Sequence, residues 1–309
     1  MKPTLRILLL VALAALTLTV SALADMGPKP LLTLRVENAP QEPYYLDILA
    51  EGEFPKKDYN GITWNYDEEE RAELDQDLLA ALRDAVPEGW HACTAEGFDG
   101  APTWGDLYAE AWAEDGAPLH SFGYVGLPQT YRVLIVTQSG DIWLSDPAER
   151  VSLQCTATVD YAAGTVSEAQ MLRNGKVVMK PVWQAYAVEL LCTLIPTLIV
   201  EGILLALFGF AKSRRNWIVF FAMNLVTQLG VFLSLGVTAV QEGVGLGYFL
   251  LLIVVELVVV FAETAAFSRL LTGRTRARAA AYAITANLCS AVLGWFLAEP
   301  VWRLVVSIS

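Results

Sequence analysis

The chain has 309 residues, of which 55% are hydrophobic, and a formal net charge of −12; its mean hydropathy is +0.44. That is too apolar for one ordinary soluble domain. The charge is also split. Residues 25–182 carry 27 Asp and Glu against 11 Lys and Arg, a balance of −16, which leaves +4 for the rest. An acidic segment joined to a mildly basic, apolar one offers no footprint for nucleic acid, which needs a basic surface.

In chain order, the first element reads as a secretory signal. Lys2 and Arg6 supply the positive start, Ile7 to Val20 is apolar apart from Thr17 and Thr19, and "SALA" at 21–24 offers a small-residue cleavage site. The rival reading is an uncleaved anchor helix, but about 14 apolar residues are short for a span. Residues 1–24 are thus expected to be a signal peptide. The domain that follows, 25–180, is expected outside the cytoplasm.

That domain reads as α+β. "LLTLRVEN" and "YYLDILAE", separated by "APQEP", predict two strands in a hairpin. "DEEERAELDQDLLAALRDA" at 67–85 predicts one helix, with Leu74, Leu78 and Leu82 on a face and Asp67 with Glu70 as a capping pair. A second helix is expected from Thr103, with Trp104, Leu107, Tyr108, Ala111 and Trp112 on one face. Trp104 and Trp112 are expected in the core rather than on a binding surface. "YRVLIVTQ", "DIWLSD" and "VSLQCTATVDY" predict three strands, the first two joined by a turn at "SGD".

Little in the domain points to chemistry. "DYNG" at 58–61 resembles the opening of a calcium loop but lacks the rest of that pattern, so a plain turn is expected. The acidic run Asp67–Glu70 reads as a solvated helix start. His91 and His120 have no nucleophile or carboxylate at a catalytic spacing. Cys93 and Cys155 could pair outside the cytoplasm; Cys192 and Cys289 fall in apolar runs and read as packing residues. No catalytic, cofactor-binding or metal-ligating set is expected, and the chain reads as a non-enzyme.

From Trp183 onward (183–309) four apolar runs, about 184–210, 217–240, 245–268 and 279–298, approach the ~20 residues that cross a bilayer. They predict an all-α transmembrane four-helix bundle. "KSRR" at 212–215 and "GRTRAR" at 273–278 are basic; "QEGVGLG" at 241–247 is not. The positive-inside rule puts loops 211–216 and 269–278 in the cytoplasm. "AEPVWRLVVSIS" at the C-terminus is then expected to emerge outside.

Polar residues recur inside these runs. "NLVTQLG" at 224–230 returns as "NLCSAVLG" at 287–294. Glu201 and Glu263 each stand 11 residues before a basic residue, Lys212 and Arg274; Asn224 and Asn287 each stand nine after one, Arg215 and Arg278. At ~1.5 Å per residue every one of these sits 13–16 Å from its loop, near mid-bilayer. The pattern predicts two helix hairpins repeated in parallel. An unpaired polar group at that depth is costly, so Glu201 is expected to bond Asn224, and Glu263 to bond Asn287. Thr227 and Gln228 extend one polar stripe, Ser290 the other, and Thr193 and Thr197 lie above Glu201. Gly230 and Gly294 are expected to permit close helix approach. Glu256, one heptad before Glu263, has no counterpart in the first hairpin, where Leu194 stands. Two stacked carboxyls suit a proton or cation path.

"DMGPKP" at 25–30, "YRVLIV", "EGILLALFGF" at 201–210, "NLVTQ" and "VVELVVVFAE" at 254–263 together resemble a family of uncharacterised membrane proteins of Gram-positive anaerobes. The resemblance implies a signal peptide, an outer domain and four helices, and no activity. Taken together, the sequence reads first as a multi-pass plasma-membrane protein for sensing or interaction. Its partners are expected to be the lipid bilayer and a protein met by the outer domain. A proton- or cation-coupled transporter or channel component is the alternative.

Overall fold

The computed structural model describes residues 29–52, 59–98, 100–167, 172–243 and 246–308. The expected signal peptide and Asp58 lie outside them. The chain divides into two units, 29–181 and 182–308.

Strand burial decides the layering of the first unit. Strand β1 (Leu31–Glu37) alternates, with Leu32, Leu34 and Val36 fully buried and their neighbours half-buried. Strands β2 (Tyr44–Glu51) and β9 (Thr130–Thr137) instead carry runs of five buried residues. An alternating strand covers one core; a continuously buried one is covered on both faces. β2 and β9 accordingly lie in the middle layer.

Two larger sheets result. The first joins β15 (Val177–Met179), β12 (Gln154–Asp160), β1, β8 (Pro118–Gly123) and β6 (Trp104–Gly105), with β7 (Ala111–Trp112) also on β8. The second joins β13 (Thr165–Ser167), β14 (Leu172–Gly175), β10 (Ile142–Ser145), β9, β2 and β4 (Trp90–Ala92), with β11 (Ala148–Glu149) on β9. β3 (Tyr59–Asn60) and β5 (Gly97–Phe98) form a separate pair. Between the large sheets Leu34, Ile48, Phe122, Val133 and Trp143 form the sandwich core. The far side of the second sheet packs Leu134, Val136 and Leu144 against Leu78, Leu79 and Leu82.

Those leucines sit on α3 (Gln76–Asp84), which follows α1 (Gly61–Asn65) and α2 (Glu68–Glu73). The single helix expected over 67–85 is therefore two. Asp75 causes the break: its carboxylate accepts from the Asp77 and Leu78 amides and starts a new helix. Leu74 turns extended and still reaches the same core. The capping box of Asp67 and Glu70 forms in both directions, at 2.8 and 2.9 Å.

Other expectations are corrected. β1 and β2 are not a hairpin: β1 pairs in parallel with β12 and antiparallel with β8, while β2 pairs with β9. Residues 103–112 hold two short strands rather than a helix. Trp104 and Trp112 are 51% and 62% exposed rather than in the core; Trp104 stacks on Tyr124 with centroids 4.4 Å apart. Cys93 and Cys155 are both buried, and both are free thiols. At 59–61 the chain makes β3 and the start of α1, capped by Asn60, rather than a plain turn. The strands at 131–160 and the turn at Gly140 stand as expected.

The second unit contains α4 (Trp183–Leu207), α5 (Arg214–Val231), a π-helical stretch at Phe232–Gly236, α6 (Val237–Glu242), α7 (Leu246–Leu270) and α8 (Arg276–Ile308). Among the described residues these provide four helices long and apolar enough to cross a membrane. Their outer surfaces are apolar to a degree water does not tolerate: Ile195, Ile199, Ile203 and Leu207 form an exposed stripe on α4, and Phe261 and Phe296 are 78% and 73% exposed. Such a surface belongs against lipid, and the chain is a multi-pass membrane protein on that evidence. α4 packs against α5 and α8, and α7 packs against α5 and α8. α8 includes "AEPVWRLVVSI" and continues through Pro300 to Ile308.

Candidate functional site

Helices α4 and α7 both bury a carboxyl of the polar pattern. Glu201 on α4, Asn224 on α5, Glu263 on α7 and Asn287 on α8 are each 3% exposed or less. The second hairpin pairs as expected: Asn287 Nδ2 donates to Glu263 Oε2 at 2.7 Å. The first does so poorly. Asn224 neighbours Glu201, but its Nδ2 donates to the Phe220 carbonyl at 3.2 Å, and neither Asn224 Oδ1 nor Glu201 Oε2 has a partner.

The third member of each N-L-x-[Thr/Ser] motif crosses between the hairpins. Thr227 Oγ1 on α5 donates to Glu263 Oε1 on α7 at 2.7 Å. Ser290 Oγ on α8 donates to Glu201 Oε1 on α4 at 3.2 Å. Each hydroxyl lies one turn from its Asn and on the same face, so one helix serves two carboxyls. Both oxygens of Glu263 are thereby engaged, whereas Glu201 keeps one free.

A cavity of about 210 Å³ opens on this network. All four acidic residues of α4 and α7 line it: Glu189, Glu201, Glu256 and Glu263. Of the residues singled out in sequence, Thr193, Thr197, Gln228, Asn287, Ser290 and Gly294 also line it; Asn224 and Thr227 stand behind the carboxyls. On the side of the basic loops, Phe210, Phe220, Phe267, Leu271 and Tyr282 close into a buried apolar plug. Beyond the plug Asn216 ties the two basic loops together. Its Nδ2 donates to the carbonyls of Phe210 and Thr272, and its Oδ1 accepts from the Thr272 amide.

Gly230 and Gly294 are not close-approach sites, since a Cβ at either would meet nothing within 4 Å. Gly236, in the π-helical stretch, is the tight one: a Cβ there would lie 2.5 Å from Glu189 Oε2. Glu189 was missed in sequence although the signal was present. Glu189, Thr193, Thr197 and Glu201 follow one another at four-residue spacing, a single helical stripe. Tyr248, beside Glu189 and Glu256 on the cavity wall, and Asn216 were missed as well, because Tyr in a span reads as interface and Asn216 sits in a basic loop.

In the first unit both histidines are structural. His91 Nδ1 lies 3.2 Å from the Gly52 carbonyl. His120 Nε2 lies 3.1 Å from Tyr44 Oη inside the sandwich, where burial pushes the imidazole down to about 4. Asp47 is fully buried and accepts from the amides of Ile48, Thr94 and Ala95; burial pushes its carboxyl up to about 7 against those donors. Among the described residues no cluster of His, Cys, Asp and Glu suits a metal ion. In comparisons with family models, curated proteins and solved structures, the chain matches none.

Proposed function

We propose that the four helices form a transmembrane bundle of two parallel-repeated hairpins and that this bundle binds and moves protons or a cation. The observation that carries the reading is the convergence of all four α4 and α7 carboxyls on one cavity. Carboxyls at this depth persist where they serve a pathway or find partners. Glu263 has two partners, Glu201 only one well-placed donor, and Glu189 and Glu256 stand outside the network. Structural glue alone needs none of the last two.

In this proposal loops 211–216 and 269–278 are cytoplasmic and the acidic domain lies outside, in the plasma membrane. The likeness to membrane proteins of Gram-positive anaerobes belongs to the same proposal. A second reading, a non-enzymatic sensor or interaction protein, is favoured by the plug: Phe267 and Tyr282 are fully buried in an apolar cluster that does not line the cavity. The exposed Trp104 and Trp112 give the outer domain a surface for a protein partner under that reading.

The discriminating experiment is proton and sodium flux in proteoliposomes containing the full chain. Transport predicts flux that Glu256→Gln abolishes. Absence of flux under both gradients overturns transport in favour of sensing. Orientation is tested in intact cells lacking the native cysteines: a cysteine at Ser213 stays protected from an impermeant thiol reagent and one at Gly243 is labelled. The reverse pattern overturns the topology.

A further inference from the structure

The proposed function leaves the ligand open between a proton, an inorganic ion and something larger. We infer that the cavity is a binding site for a small organic ammonium ion, an amine carried on an apolar body. The inference rests on the bundle being a cation-binding unit, and narrows it.

Size comes first. About 210 Å³, counted as space for the centre of a water-sized sphere, is many times the ~10–15 Å³ that holds one water on that measure, so a bare ion leaves the space unfilled. It is below the ~300–1,000 Å³ of pockets for drug-sized ligands, so the occupant is small. The four carboxyls are spread along the helices rather than gathered. Glu189 stands twelve residues before Glu201 and Glu256 seven before Glu263, which is ~18 and ~10 Å of helix rise. That spacing does not form an inorganic coordination shell, and no described cluster does.

Polarity comes next. Among the described residues, two cavity-lining side chains carry a fully buried oxygen without a partner, Glu189 Oε2 and Glu201 Oε2. Glu201 is 1% exposed and lines the cavity. No Lys or Arg lines the cavity among the described residues. Orphaned buried acceptors without a cation are costly, and a ligand N–H⁺ placed at Glu201 answers that deficit there. Between these polar points the wall is apolar and aromatic, with Phe232, Tyr248, Trp295 and Trp302. Aromatic faces attract ammonium ions and pack against a hydrocarbon body. An anion finds no positively charged side chain there among the described residues.

The test uses the full chain in detergent micelles and isothermal titration, with micelle blanks subtracted. The probe is 2-phenylethylammonium. 2-Phenylethanol supplies the same shape without charge, methylammonium the charge without the body, and phenylacetate the opposite charge. The expected result is saturable binding of 2-phenylethylammonium with at least ~10-fold weaker binding of each comparison compound, since one buried charge contact is worth a factor of ten or more. Glu201→Gln and Glu256→Gln should each weaken it at least ~10-fold. Glu256 takes no part in the hydrogen-bond network, so its variant separates lost binding from lost folding. Binding of 2-phenylethanol or phenylacetate as tight as the amine overturns the inference, as does full affinity in Glu256→Gln. Absence of amine binding beside Glu256-dependent proton or sodium flux overturns it while the functional reading stands. Absence of both overturns the two together. Amine binding without any flux supports the site and overturns transport.

Discussion

The two units solve opposite solvent problems with similar residues. In the sandwich unit Phe122 and Trp143 are fully buried, and of the acids only Asp47 is buried with them among the described residues. In the helical unit Phe261 and Phe296 face outward and the buried side chains include Glu201, Asn224, Glu263 and Asn287. In the first case burial of apolar surface drives packing. In the second, lipid is as apolar as the side chains, so hydrogen bonds and shape hold the helices. The consequence for function is direct. The sandwich satisfies its one buried carboxylate with backbone amides, those of Ile48, Thr94 and Ala95 around Asp47. A membrane bundle has to gather them at its centre, where they can also meet a ligand.

The comparison is sharpened most by matching phenylalanines. Phe122→Ala should cost the sandwich about 3–5 kcal/mol, read as a loss in thermal or denaturant unfolding. Phe261→Ala, at a lipid-facing position, should be close to silent. Equal losses would break the contrast and place Phe261 in a protein interface. The converse substitution, Phe261→Asp, should cost insertion about 3 kcal/mol near mid-span, seen as reduced membrane integration. An acid added to the exposed surface of the sandwich should cost little.

Protonation gives the next effect. His120 has a folded value of about 4 against an ordinary 6.5. Between those pH values the unfolded chain binds more protons, so stability falls as pH falls through that window. The full effect is roughly 3 kcal/mol. Asp47, pushed up to about 7 from 3.8, acts oppositely: the folded state binds more protons, and its contribution is lost as pH rises from about 4 to 7. His120→Gln should remove the acid-side loss and leave the Asp47 trend exposed. An unchanged pH profile in His120→Gln would show that His120 is not held neutral.

Smallest are the membrane hydrogen bonds, about 0.6 kcal/mol on average and 1.7 at most. Asn287→Leu, which breaks a 2.7 Å bond to Glu263, should lower the detergent melting temperature more than Asn224→Leu. The cycle of Thr227→Val with Glu263→Gln should show coupling of a few tenths of a kcal/mol or more across the hairpins. Strict additivity there would mean the two side chains do not meet.

Much was legible in the residues alone. Hydropathy and length mark the four helices within a few positions, apart from the end of α8, which runs on from the expected 298 to Ile308, because the solvent acts on each segment separately. The capping box at Asp67 and Glu70 and the strands over 131–160 are equally local. Mid-span Glu and Asn announce a polar centre, since their cost depends on depth and not on partners. What only the tertiary structure decided is non-local. The alternation in β1 suits a hairpin partner as well as it suits β12, whose paired residues lie 123 positions on. Leu74, Leu78 and Leu82 share a core whether Asp75 breaks the helix or not. Trp104 and Trp112 carry the same spacing on a helix as on two exposed strands. Thr227 and Ser290 show on which face they lie, but whether each reaches its own hairpin's carboxyl or the other's depends on how helices distant in sequence are set side by side. That arrangement also makes the cavity, and so recruits Glu189, whose stripe was written in the sequence but whose destination was not.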